Sequence, residues 1–342
     1  MFKRFISILQ YIIFLGAGIF LVWWQLKDMT ENEKLEFANA FNHTNYWLII
    51  PIVCMSLLSH LIRSIRWKYL MEPLGYKPSL KNVFSGVMIG YLANSAVPRL
   101  GEILRCTFLA RYEKLNVGKL VGTIIIERTF DFICFLIFIG ITILIQIDLI
   151  GEYVQEKIMK IGDTAGIPVW VNLLIIILII ILFIFFIKIL FKKYPDNKAV
   201  NRINSFLKSI AEGFKTIKEL KQKKLFIIAT LFIWGLYLLQ VYIGFQAMQG
   251  TTHLSMKAAC SVLALASLAM IATPGGIGSF PLFVMETLTI YGIASPLGKA
   301  FGWLIWGVST GIVIIAGLFC LLAIPYINRK RKRNEISQLH TS

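Results

Sequence analysis

Residues 98–131 place charged side chains inside sequence that would otherwise read as membrane-spanning, and this sets narrow limits on what the chain can fold into. Pro98-Arg99-Leu100-Gly101-Glu102 leads to Arg105 and Arg111, and Glu127, Arg128 and Asp131 then interrupt GTIIIERTFDFICFLIFIG. An unpaired charge in hydrocarbon costs at least about 2.5–3.5 kcal/mol. Several together forbid insertion unless they pair, line a wet cavity or bind something charged. The cluster therefore reads as a functional site within a membrane protein.

The rest of the chain agrees. Apolar residues make up 57% of it, and several windows of about 20 residues carry few charges, the length that crosses a bilayer as helix. Met1-Phe2-Lys3-Arg4 precedes an apolar stretch longer than a signal-peptide core, so it reads as a retained first helix. The five cysteines have no paired spacing and lie mostly in apolar segments, which gives neither a disulfide framework nor a zinc site. Four scattered histidines make no metal centre.

A formal charge of +17 raises the question of nucleic acid, and its distribution answers it. In the topology below, 27 of the 35 Lys and Arg fall in segments read as cytoplasmic and 6 in segments read as external. That is positive-inside bias, and the excess suits anionic lipid headgroups. No nucleic-acid recognition module accompanies it.

Helix-forming spans are expected at about 5–26, 46–62, 118–147, 169–191, 225–247 and 297–323. The acidic stretches 27–45 and 148–168 read as external loops, and Arg63, Arg66 and Lys68 as a cytoplasmic helix edge. Two further segments are apolar but broken. Residues 80–116 stop at Pro98 and resume as charged helix. Residues 255–293 break at Thr273-Pro274-Gly275-Gly276-Ile277-Gly278. Both read as re-entrant hairpins, which need cover from protein or water. Segment 192–224 carries ten Lys/Arg against three acids, with apolar residues at 3–4 spacing, and reads as a basic amphipathic cytoplasmic helix between two halves. The expected fold is thus an all-α integral membrane protein with about six transmembrane helices and two re-entrant hairpins. Residues 1–325 form one membrane domain and 326–342 a basic tail, with both termini cytoplasmic. The halves follow the plan of an inverted repeat, with interrupted segments in corresponding places.

On a helix Arg99, Glu102 and Arg105 share one face, Glu127 and Asp131 are i, i+4 neighbours, and Arg128 reaches Asp131 at i+3. Two readings stand side by side. The charges neutralise one another and pin the hairpin, or an arginine is left for a phosphate while carboxylates tune its grip. Arginine suits the second role because its planar fork binds phosphate bidentately and never loses its charge. Arg63 and Arg66 are weaker candidates, expected to snorkel from a helix end. Gly275, Gly276 and Gly278 either point backbone N–H groups at an anion or make a tight turn. Asn94 adds a polar ligand before Arg99. Gly86-x3-Gly90, Gly118-x3-Gly122 and Gly307-x3-Gly311 read as close helix packing. No phosphate-binding loop of an ATP-driven pump, no metal pair and no nucleophile elbow is present in the sequence.

Four ordered motifs resemble a known family: Arg63-x2-Arg66-Trp67, Asn94-x3-Pro98-Arg99-x-Gly101-Glu102-x2-Arg105, Glu127-Arg128-x2-Asp131 and Pro274-Gly275-Gly276-Ile277-Gly278. The chain is similar over about residues 5–325 to the flippase-like family named after the transmembrane region of lysylphosphatidylglycerol synthase, the multiple peptide resistance factor. The resemblance implies a protein of the cell membrane that moves or presents lipid-linked anionic or aminoacylated headgroups. Bifunctional relatives add a large soluble aminoacyl-transfer domain, for which the 19 residues after the last span leave no room. The expectation is a lipid transporter without enzymatic activity or cofactor, acting on a phospholipid or polyprenyl-linked phosphate. It would work as a homo-oligomer or beside a lipid-modifying enzyme. The rivals are a secondary transporter of a small soluble anion and a membrane subunit of lipid-phosphate modification.

Overall fold

The computed structural model describes residues 2–27, 29–97, 99–146 and 220–339. Two compact units emerge, Met1–Glu127 with Glu219–Ser342, and Arg128–Lys218. The described part of the second is the continuation of one helix from residue 128 to residue 145 and Gln146. The expected span at 169–191, the loop 148–168 and nearly all of the basic segment 192–224 lie outside the described residues.

Among the described residues there are ten α-helices: α1 Phe2–Lys27, α2 Glu31–Asn42, α3 Ile49–Met71, α4 Leu80–Ala96, α5 Leu100–Glu113, α6 Val117–Ile145, α7 Lys223–Ala247, α8 Met256–Ala272, α9 Ser279–Ile290 and α10 Ser295–Leu339. Four helical runs among the described residues are long and apolar enough to cross a membrane: Tyr46–Leu74, Val117–Ile145, Lys223–Ala247 and Ser295–Arg329. The all-helical membrane architecture of the sequence reading holds, with three boundaries moved.

The acidic segment after α1 is a helix rather than a loop. Thr30 caps it, accepting from Glu33 N–H, while the Glu33 carboxylate accepts from Thr30 N–H at 2.8 Å. This reciprocal pair satisfies donors that would otherwise stop a short helix from starting. Those bonds hold the Glu33 carboxyl below the ordinary carboxylate range. Phe37 and Phe41 then pack on the core. α3 runs nine residues past its expected end at 62, carrying Arg63 and Arg66 inward. α10 continues beyond 323, through Pro325, to Leu339. The backbone of the expected tail is therefore helical to that point.

One end of the first unit is tied by Asn45 N–H to the Ala247 carbonyl at 2.7 Å and by a bridge between Thr44 and Met248. The other is tied by Asn82, whose amide nitrogen reaches Glu113 Oε1 at 2.6 Å and Asn328 Oδ1 at 2.9 Å, and by Gln222 to Glu72 at 2.8 Å. Between them lies an apolar core around Ile52, Phe245, Val262, Val284, Leu288 and Phe301. The Phe245 and Phe301 rings sit 5.0 Å apart.

Both broken segments are helical hairpins. α4 and α8 each have 17 residues, and α5 and α9 have 14 and 12. At 1.5 Å per residue the first arms rise about 25 Å, short of a complete crossing. α4 and α5 lie backbone to backbone: a Cβ at Gly90 would stand 2.9 Å from the Gly101 carbonyl oxygen, and one at Gly101 would collide with the Gly90 carbonyl. Of the three expected small-residue motifs, Gly86-x3-Gly90 thus marks close packing. A Cβ at Gly122, Gly307 or Gly311 meets nothing within 4 Å among the described residues, so the motif by itself does not identify a packed face.

Candidate functional site

The charges of the sequence resolve into a buried hub and an exposed tip. α3 supplies Arg63 and Arg66 to the hub, on adjacent turns of the face that also carries Trp67. α5 brings Arg105 and α6 brings Glu127. Glu127 is fully buried, and Arg63, Arg66 and Arg105 are at most 6% exposed. One carboxylate receives all three guanidiniums: Oε1 accepts from Arg63 Nη1 and Arg66 Nη2, each at 3.2 Å, and Oε2 accepts from Arg105 Nη2 at 2.9 Å. Arg63 Nη2 also donates to the Tyr237 hydroxyl at 3.2 Å and Arg66 Nη1 to Thr230 Oγ1 at 3.1 Å, both on α7.

Aromatic faces complete the hub. The Arg105 guanidinium lies 4.6 Å from the Trp67 ring centre, Arg66 5.5 Å from Phe226 and Arg63 5.9 Å from Tyr91. Cations over desolvated rings gain electrostatically where water is excluded. Trp67 Nε1 donates to Thr123 Oγ1 at 2.8 Å, so its indole is held while its face serves Arg105. The expected snorkelling of Arg63 and Arg66 is overturned. A charged carboxylate in the interior draws them in, because leaving Glu127 unpaired there would cost more than ordering two arginines.

Arg99 has the opposite character. It is exposed, with φ 67°, and precedes α5 as its N-cap. A left-handed conformation costs a side-chain-bearing residue about 1–2 kcal/mol. Arg99→Gly is therefore expected to raise stability by about 1 kcal/mol, read as a higher Tm of the purified protein. Six residues separate Arg99 from Arg105, a rise of about 9 Å along a helix. The shared face of the sequence reading thus spans two environments, with Glu102 half-buried between them. Asn94 serves the backbone, since its Oδ1 accepts from Gly101 N–H at 2.8 Å and so satisfies the start of α5. Arg128 and Asp131 follow Glu127 on α6 and belong to the second unit, each engaged by interactions of its own.

The Pro274–Gly278 turn meets this tip. A Cβ on Gly275 would stand 3.6 Å from Ser95 Cα and the Ser95 carbonyl, so the ends of α4 and α8 abut. Gly275, Gly276 and Gly278 all have positive φ, between 61° and 72°. Gly276 and Ile277 N–H close the turn on Thr273 and Pro274 carbonyls at 3.0 and 3.3 Å. The Gly275 carbonyl accepts from Trp306 Nε1 at 2.8 Å and that of Gly278 from Gln25 Nε2 at 2.7 Å. These bonds describe a tight turn pinned by α1 and α10.

The hub's outer partners Thr230, Tyr237, Tyr91 and Thr123 are not legible in the sequence. Single hydroxyls in apolar runs are too common to stand out. The usable signal is His60-x2-Arg63-x2-Arg66, three polar residues on one helical face.

Residues 7–317 match the family described as Lysylphosphatidylglycerol synthase TM region. The UPF0104 membrane protein MJ1595 of Methanocaldococcus jannaschii is 24% identical over 306 residues, 85% of this chain and 88% of that protein. No solved structure matches the chain. All four motifs, hub and both hairpin tips included, fall within the matched residues. The chain belongs to the lysylphosphatidylglycerol synthase TM region family.

Proposed function

We propose that the protein carries the headgroup of a phosphate-bearing lipid across the membrane, its acyl or prenyl tails remaining in the bilayer. The observation that carries this reading is the hub, where three buried guanidiniums share the Glu127 carboxylate. One arginine suffices to pin two helices through a carboxylate. Three in a desolvated interior cost far more than a pin requires, since each buried ion forfeits several kcal/mol of hydration. Such a density of planar donors matches a phosphate, which takes bidentate arginine contacts. Exposed Arg99 at the hairpin tip adds a further charge for the headgroup, six residues along α5 from the hub residue Arg105. The abutting hairpin tips supply two bodies able to rock against each other, as in transporters built on broken helices. Membership of a family named for a lipid synthase's membrane region supports a lipid as the cargo. The basic end bearing Lys77, Lys81, Lys114, Lys119, Lys221 and Lys223 faces the cytoplasm in this reading.

The test is headgroup translocation in proteoliposomes with labelled phosphatidylglycerol, aminoacylated phosphatidylglycerol and polyprenyl phosphate. Wild type is expected to move at least one of them. Arg99→Gln should lower that rate about tenfold or more, the value of one charge-assisted contact, with Tm unchanged because Arg99 is exposed. Uptake of free phosphate with no lipid movement would replace this reading by soluble-anion transport.

A further inference from the structure

We propose that His60 is a substrate-binding residue, donating a hydrogen bond to the phosphate of the carried amphiphile beside Arg63. The proposal rests on the transport reading above and names a contact which that reading does not contain.

His60 is only 7% exposed, yet its Nδ1 has no hydrogen-bond partner among the described residues. Buried polar atoms are nearly always satisfied, so one without a partner calls for an explanation. The obvious partners are occupied elsewhere. Ser59 Oγ donates to the Ser56 carbonyl at 2.7 Å, and Ser64 Oγ to the carbonyl of His60 itself at 2.8 Å. The ring is held against Tyr91 at 4.8 Å between centroids, and the same Tyr91 ring flanks Arg63. His60 precedes Arg63 by three residues and so stands one turn along the same face of α3, away from Arg66.

A second hub atom is in the same condition. Arg105 Nε is buried without a hydrogen-bond partner among the described residues. The stem of Arg105 runs over Gly90, where a Cβ would stand 3.5 Å from Arg105 Cδ, and Gly90 is the neighbour of Tyr91 in α4. Two polar side chains thus flank one turn of α4 with hydrogen-bonding capacity left over. A cation is excluded as their ligand by Arg63 and Arg105 themselves. An oxygen-rich anion fits, taking N–H donors from imidazole and guanidinium together. Beside two guanidiniums the imidazole serves as a neutral donor, adding direction without adding charge.

The experiment uses purified full-length protein in detergent, comparing wild type with His60→Phe, which keeps an aromatic ring on Tyr91 and removes both nitrogens. Probes are dioctanoyl phosphatidic acid, dioctanoyl phosphatidylglycerol, inorganic phosphate and dioctanoylglycerol as the phosphate-free control. The expected result is a ligand-induced rise in Tm for wild type with a phosphate-bearing probe. That rise should need about tenfold more probe in His60→Phe, while the Tm without probe is equal or higher. A response to inorganic phosphate would assign the site to the phosphate alone, and a response only to the lipids would add the tails. Unchanged probe response in His60→Phe overturns the proposal, as does a lower Tm without probe, which makes His60 a packing residue. In proteoliposomes, headgroup movement by wild type that persists undiminished in His60→Phe would sink this assignment and leave the transport reading standing. No movement by folded wild type would sink both.

Discussion

Glu127→Gln is expected to yield little folded protein. The substitution keeps size and shape but removes the negative charge that three buried guanidiniums share. Breaking a buried ion pair by losing one partner costs about 3–5 kcal/mol, and here a single change removes a carboxylate that three arginines share. That approaches the whole stability of many folded domains, about 5–15 kcal/mol. The measurement is the yield of monodisperse protein after detergent extraction, with Tm of whatever survives. Glu127→Asp separates charge from reach, since it preserves the charge and shortens the arm by one methylene. It should recover folded protein while lengthening one or more of the three contacts. If Glu127→Gln folds and melts like wild type, the hub contributes nothing to stability and its arginines must be balanced without this carboxylate.

Among the glycines of the described residues, Gly101→Ala should be the most damaging substitution. The added carbon would overlap the Gly90 carbonyl, a backbone atom that can retreat only if α4 and α5 separate. Overpacking in cores costs about 1–3 kcal/mol where side chains can adjust; with backbone on the far side, the upper end is expected. The hairpin would open at its tip, so Tm should fall. Gly307→Ala is the matched control. A Cβ there meets nothing within 4 Å among the described residues, and alanine in a helix interior is favoured over glycine by about 0.5–1 kcal/mol. It should melt at the wild-type temperature or above. Equal Tm for both variants would refute the close approach of α4 and α5.

Sequence reasoning works here where local chemistry dominates. Pro98 and the Pro274–Gly278 cluster announce chain breaks by their own dihedral restrictions, and both segments are helical hairpins. It fails at Arg63 and Arg66 because a hydropathy argument ends a span at the first charge. What carries α3 through them is a carboxylate 64 residues away in sequence, which no local pattern displays. The same limit explains Arg99 and Arg105. Their helical spacing is legible, but the left-handed turn at Arg99 and the burial of Arg105 follow from how α4 meets α5. Asn94 has the expected address and another duty, since a side chain that caps a helix and one that binds a ligand look alike in sequence.

α10 touches both hairpins. Gly302 receives Pro281 of α9, Trp306 holds the Gly275 carbonyl, Gly317 lies against Met88 and Leu92 of α4, and Asn328 is bonded to Asn82 near the start of α4. If the hairpins rock as transport would require, a single stiff rod serves as a common axle for both. Neither hairpin can then swing alone: tilting one drags the rod, and the rod carries the displacement to the other. Opening on one face of the membrane is thereby geared to closing on the opposite one, through steric linkage and without a separate messenger.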